Sequence, residues 1–106
     1  MKGQVKNHSS QTLWVLVSEG KKMNAYQLAP GCQSPSDLDA DGFKAVNDTP
    51  INGYQGWIKI VDICTAEVKD NGKELISECL FCGNVDDDEF GSVSFNNKDS
   101  WGEFIV

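Results

Sequence analysis

Three aspartates at alternate positions, Asp37, Asp39 and Asp41, stand directly before Gly42. Oxygens at this spacing, followed by a glycine that lets the backbone turn back, are what a hard calcium ion takes as ligands. The match to a helical calcium loop ends there. Lys44 stands where such a loop places an apolar residue, and Asp48 replaces the closing bidentate glutamate. Pro30, Gly31 and Pro35 exclude an incoming helix. The pattern predicts one of two things. Either Asp37, Asp39 and Asp41 form a non-helical calcium site, completed by Asp48 or an acid from residues 86–89, or each aspartate caps its own backbone in a solvated turn. The turn needs no ligand and is the simpler expectation.

A second acidic run, Asp86-Asp87-Asp88-Glu89, reads first as a solvated loop. Gathered with Asp37, Asp39 and Asp41 at one end of the fold, it would make an acidic face for a basic protein. Such a face imitates the phosphate spacing of nucleic acid, as many nuclease inhibitors do. Trp101, between Ser100 and Gly102, is the aromatic residue best placed to anchor such a partner. Trp14 and Trp57 read as core.

Cys79-Leu80-Phe81-Cys82-Gly83 has the spacing of a zinc knuckle. A structural zinc ion takes four ligands, and no second cysteine pair exists. Cys32, Cys64 and His8 each stand alone in the sequence, so zinc at Cys79 and Cys82 is not expected. The cysteines read instead as buried thiols acting as small hydrophobes. In a secreted chain they would form two disulfides, with three possible connectivities.

No catalytic constellation is legible. His8 is the only histidine, and Ser9 and Ser10 beside it are too close in sequence to serve as its nucleophile. There is no glycine-rich phosphate loop. The expectation is a non-enzymatic protein. Composition narrows its partners. Net charge is −7, distributed as +3 over residues 1–30 and −10 over residues 31–106, and arginine is absent. That balance argues against nucleic acid and against an anionic membrane surface, and favours a basic protein or a cation. The start, Met1 to Lys6, has no apolar stretch after its charges and does not read as a signal peptide, which places the expected location in the cytoplasm.

The elements that must position these groups are strands. Trp57 to Cys64 reads as a central strand buried on both faces, extending toward Val68. Thr12 to Val17 and Met23 to Leu28 predict a hairpin through Gly20. Residues 31–42 read as loop, and Phe43 to Val46 as a short strand. Asp70-Asn71-Gly72-Lys73 predicts a type I′ hairpin turn with Leu75 to Phe81 as the returning strand. Gly91 to Phe95 and Trp101 to Val106 complete about seven short, mainly antiparallel strands. The chain from 1 to 106 is thus expected to be one all-β domain, a β-sandwich or small barrel. A faint repeat aligns Asp37–Val46 with Asn84–Val93, and Cys32 with Cys79, as two pseudo-repeated halves would. The function expected is a small acidic inhibitor of the toxin-immunity type, neutralising a basic protein. The alternative is a calcium-binding sandwich module, engaging a sugar or a surface through the Asp37–Gly42 loop.

Overall fold

Leu13-Trp14-Val15-Leu16-Val17 is apolar on both of its alternating faces, and such a strand has to be covered from both sides. The computed structural model, which describes residues 3–61, 63–79, 82–86 and 88–105, places it at the heart of the fold. The described residues form no helix. Their strands are β1 (Gln4–Asn7), β2 (Leu13–Glu19), β3 (Lys22–Leu28), β4 (Cys32–Gln33), β5 (Ala40–Ala45) and β6 (Ile58–Ile60). They continue with β7 (Thr65–Asn71), β8 (Glu74–Glu78), β9 (Cys82–Asn84), β10 (Val93–Trp101) and β11 (Glu103–Phe104). One sheet has the order β11-β4-β1-β7-β8 and the other β10-β3-β2-β5-β6-β9. Two pairings, β1 with β7 and β3 with β10, are parallel. The rest are antiparallel, so the domain is a sandwich of two mixed sheets and not a closed barrel.

The alternation of β2 sets two apolar layers. Leu13 and Val15 join Phe43, Ala45, Ile58 and Ile60 of their own sheet, and meet Val5, Ala66, Val68 and Leu75 of the other. On the opposite side of the same sheet, Leu16, Ala25 and Trp57 form a second cluster with Trp14, Met23, Val85, Phe90 and Val93 around them. Phe95 stands edge-on to Trp14 at 5.0 Å between centroids, Phe90 stands edge-on to Trp57 at 6.1 Å, and the Lys44 ammonium sits 4.7 Å over the Trp57 ring. β2 is therefore buried on both faces at Leu13, Val15 and Leu16. Apolar burial on both sides of β2 is the main stabilising term, at about 1.5–3 kcal/mol for each large side chain.

Four expectations need correction. First, the central strand is β2. Among the described residues of the Trp57–Cys64 run only Ile58–Ile60 is strand, because the chain then leaves one sheet to begin β7 in the other. That passage leaves Val61 61% and Ile63 48% exposed. Second, residues 31–42 are not all loop: Cys32–Gln33 pairs with β1, and β5 begins at Ala40. Third, about seven strands become eleven among the described residues: Cys32–Gln33 and Cys82–Asn84 are strands, the run from Trp57 toward Val68 divides into β6 and β7, and Gln4–Asn7 is a strand in the middle of its sheet. Its Asn7 is fully buried and fully satisfied: Nδ2 donates to the Gln11 and Leu28 carbonyls, and Oδ1 accepts from the Ser9 amide and hydroxyl. Fourth, the aligned halves are not structural repeats. Ala40–Ala45 is an interior strand, whereas its counterpart around Asp88 to Phe90 is a turn.

Both expected hairpins form, with one change of detail. Asn71 pairs with Glu74 as the last rung of the ladder, so the turn residues are Gly72 and Lys73. Gly72 has φ +66° and Lys73 has no positive φ, which is the type II′ preference for glycine in first position and not the type I′ pattern. Gly20-Lys21 closes β2 to β3 in the same way, with φ +65° at Gly20.

Candidate functional site

The acidic motif folds as the entry to β5. Leu16 pairs with Gly42 and Val17 with Ala40, which leaves Asp41 as the extra residue of a β-bulge. A bulge re-aims the side chain of the residue it releases. Asp41 accordingly shares with Asp39 a pocket of about 240 Å³, whose other walls are Ala40, Ile60, Val61 and Ile63. Asp39 is fixed from behind, its Oδ1 accepting from the Gly3 amide at 2.7 Å. The Asp41 carboxylate accepts from the Ser18 backbone. Partial burial, and then the neighbouring Asp39, push its pKa above the usual carboxylate value, against the lowering effect of Lys59 and the Ser18 bond.

Lys59 connects this pocket to the second acidic run. It lies opposite Gly42 in the ladder, and its Nζ is 3.8 Å from Glu89 Oε2 and 5.9 Å from the centre of the Phe90 ring. Phe90 packs directly on Gly42, where an added Cβ would come within 3.0 Å of both the ring and the Ile58 carbonyl. The missing side chain at Gly42 is what lets the 85–90 segment lie against β5. Two turn bonds shape that segment, Glu89 N to Asp86 O at 3.0 Å and Gly91 N to Asp88 O at 3.1 Å. Asp86, Asp88 and Glu89 are exposed, and Asp87 lies outside the described residues. Lys59 thus stands between Asp41 and Glu89, while Val85, just before Asp86, donates its amide to the Trp57 carbonyl.

Other sequence-predicted residues lie elsewhere. Asp37 is exposed in the turn closed by Leu38 N to Pro35 O. Asp48 follows the far end of β5, whose Ala45 pairs with Leu13. The strand therefore separates Asp48 from Asp39 and Asp41. Among the described residues the one group of three or more side chains able to hold a metal is Cys64, Cys79 and Cys82; the aspartates form no such group. Trp101 is half-buried, stacked on Tyr26 at 4.9 Å, and paired with Leu28, also at the Leu13 end of β2. It borders a second pocket of about 290 Å³ with Cys32 and the exposed Phe104. It does not adjoin the acids.

The apolar groups that do adjoin them are Val61 and Ile63, which the sequence reading assigned to the core. Asp62 was the available signal, since it falls on the same alternating face as Ile58 and Ile60. A strand buried on both faces does not carry a carboxylate there.

The cysteines also need correction. Cys79 and Cys82 form a disulfide instead of standing as isolated thiols, and Cys64 Sγ is 2.6 Å from Cys79 Sγ. Cys32 packs against the inter-sheet core beside the second pocket. His8 Nε2 is 3.0 Å from Glu67 Oε1 on the surface.

No protein-family model matches the chain, and no curated protein or solved structure matches it either.

Proposed function

We propose that this is a non-enzymatic binding protein whose Asp39–Asp41 pocket receives a basic side chain of a protein partner, with a toxin-neutralising inhibitor as its concrete form. The observation that carries the reading is the composition of the pocket. Two carboxylates line one part of it, and the exposed aliphatic side chains of Val61 and Ile63 line another. A lysine or arginine has the matching form, a charged head on a methylene stem that packs on apolar surface. Partial burial, and then Asp39, make Asp41 resist ionisation, and a docked cation offsets both. Asp86, Asp88 and Glu89 form an acidic rim that steers a basic partner toward the pocket. Calcium as the ligand is less well supported, because Asp48 lies beyond the other end of β5. No helix among the described residues is long and apolar enough to cross a membrane. A cytoplasmic site of action belongs to the same proposal.

The test captures partners on the wild-type chain and on Asp39→Lys/Asp41→Lys, then measures association at two salt concentrations. Reversal should slow association by about ten-fold or more at low salt, and by less at high salt. Val61→Ala with Ile63→Ala should chiefly raise the dissociation rate. An acidic partner, or an association rate indifferent to both salt and charge reversal, removes the proposal.

A further inference from the structure

Cys64 lies on the passage from β6 to β7, Cys79 follows β8 directly, and Cys82 opens β9. Both passages run between the six-stranded and the five-stranded sheet. The fold thus brings three sulfurs from two separate crossovers together, all within 4.8 Å of one another and all half-buried. The sequence offered Cys79 and Cys82 as a pair short of ligands; the third ligand comes from a residue 15 positions away from Cys79. From this convergence we propose that Cys64, Cys79 and Cys82 form a three-thiolate site for a soft d¹⁰ metal ion, zinc(II) or copper(I).

Thiolate sulfur selects these ions over calcium and magnesium. Around a zinc ion bonded at ~2.3 Å, sulfurs stand roughly 3.8 Å apart, a separation that a triangle within 4.8 Å reaches by small side-chain rotations. Zinc has one further coordination position, which solvent reaches because the three cysteines are only half-buried. Copper(I) is satisfied by the three sulfurs alone. The ion and the Cys79–Cys82 disulfide exclude each other. Metal binding starts from the chain with that bond reduced by two equivalents of a cellular thiol, which leave joined as their own disulfide, and each protein sulfur then releases its proton on ligation. The bound ion then clamps both crossovers, where the disulfide clamps one.

The experiment uses the full chain, reduced and kept without oxygen, titrated with cadmium(II) as an optical stand-in for zinc. The expected result is a thiolate-to-metal charge-transfer band that saturates at one ion per chain. Cys64→Ser, Cys79→Ser and Cys82→Ser should each reduce the band by about a third and weaken binding, while Cys32→Ser leaves both unchanged. Zinc(II) and copper(I) are then compared by competition against cadmium, which assigns the resident ion. Because a variant can misfold, a second measurement uses the wild-type chain alone. Bound metal should protect Cys64, Cys79 and Cys82 from alkylation and leave Cys32 as reactive as before. No band in the reduced wild type overturns the proposal. So does a band that survives Cys64→Ser at full strength, or metal that protects only Cys79 and Cys82.

Discussion

Asn7 and Asp41 are both polar groups drawn into the structure, and they differ in how well they are met. Asn7 satisfies two carbonyls that strand pairing leaves over. Asn7→Ala removes its bonds to the Gln11 and Leu28 carbonyls and to the Ser9 amide and hydroxyl, and opens a small cavity, so it should lower stability by about 2–4 kcal/mol in urea unfolding. Asn7→Asp should cost at least as much at neutral pH, since a carboxylate then faces two carbonyl oxygens. Asp41 is the opposite case, a carboxylate held above its ordinary pKa by partial burial and by Asp39. In the window between its ordinary and its raised value the native chain binds more protons than the unfolded one, so stability falls as pH rises through the folded pKa. The contribution is fully present below the unfolded value and lost above the raised one. Asp41→Asn keeps an oxygen for the Ser18 bond and removes the charge. It should match the wild type in acid and exceed it at neutral pH, by less than about 1 kcal/mol because the side chain is only partly buried. Denaturant titrations of both chains across the acid range check the sign. Equal stability at every pH would mean Asp41 is fully solvated.

At the level of strands and turns, the hairpin glycines provide the cleanest test. Gly72 has φ +66° with nothing near the position a Cβ would take, so Gly72→Ala meets backbone strain and no collision. A loss of about 1 kcal/mol is expected, seen as a melting temperature roughly 4–8 °C lower. Gly42→Ala has an ordinary φ but collides with Phe90 and the Ile58 carbonyl. It should displace the 85–90 segment and weaken the Lys59–Glu89 contact. These elements also mark what the sequence could convey. The hairpins β2–β3 and β7–β8 were legible because alternation and a glycine turn act over a few residues. β1 was hidden because its inward polar residue, Asn7, reads as loop beside its near partners Ser9 and Gln11, while the Leu28 carbonyl that it also meets is 21 positions away. The Trp57–Cys64 run misled because three core positions and two surface positions share one apolar, β-branched stretch. Asp39 and Asp41 were found from their spacing, but not the bulge that turns Asp41 into the pocket. Cys64 could not be joined to Cys79 and Cys82, since only the two crossovers bring them together.

Across the whole molecule the net charge of −7 is concentrated in residues 31–106, which carry −10. Like charges gathered there repel one another in the folded state more than in the expanded chain. Added salt screens this repulsion, with a Debye length falling from about 30 Å at 0.01 M to about 8 Å at 0.15 M. The melting temperature should therefore rise over that range in sodium chloride. The same measurement separates screening from calcium binding. Screening depends on ionic strength, whereas a site that binds an ion only in the native state adds stability that grows with that ion's concentration over its Kd. With Asp48 beyond the opposite end of β5, the carboxylates that the described residues offer a divalent ion in the pocket are Asp39, already bonded to the Gly3 amide, and Asp41. Melting curves in sodium, magnesium and calcium chloride at matched ionic strength should then coincide. A calcium-specific rise that disappears in Asp41→Ala would reinstate the calcium site and assign the pocket to an ion in place of a partner's basic side chain.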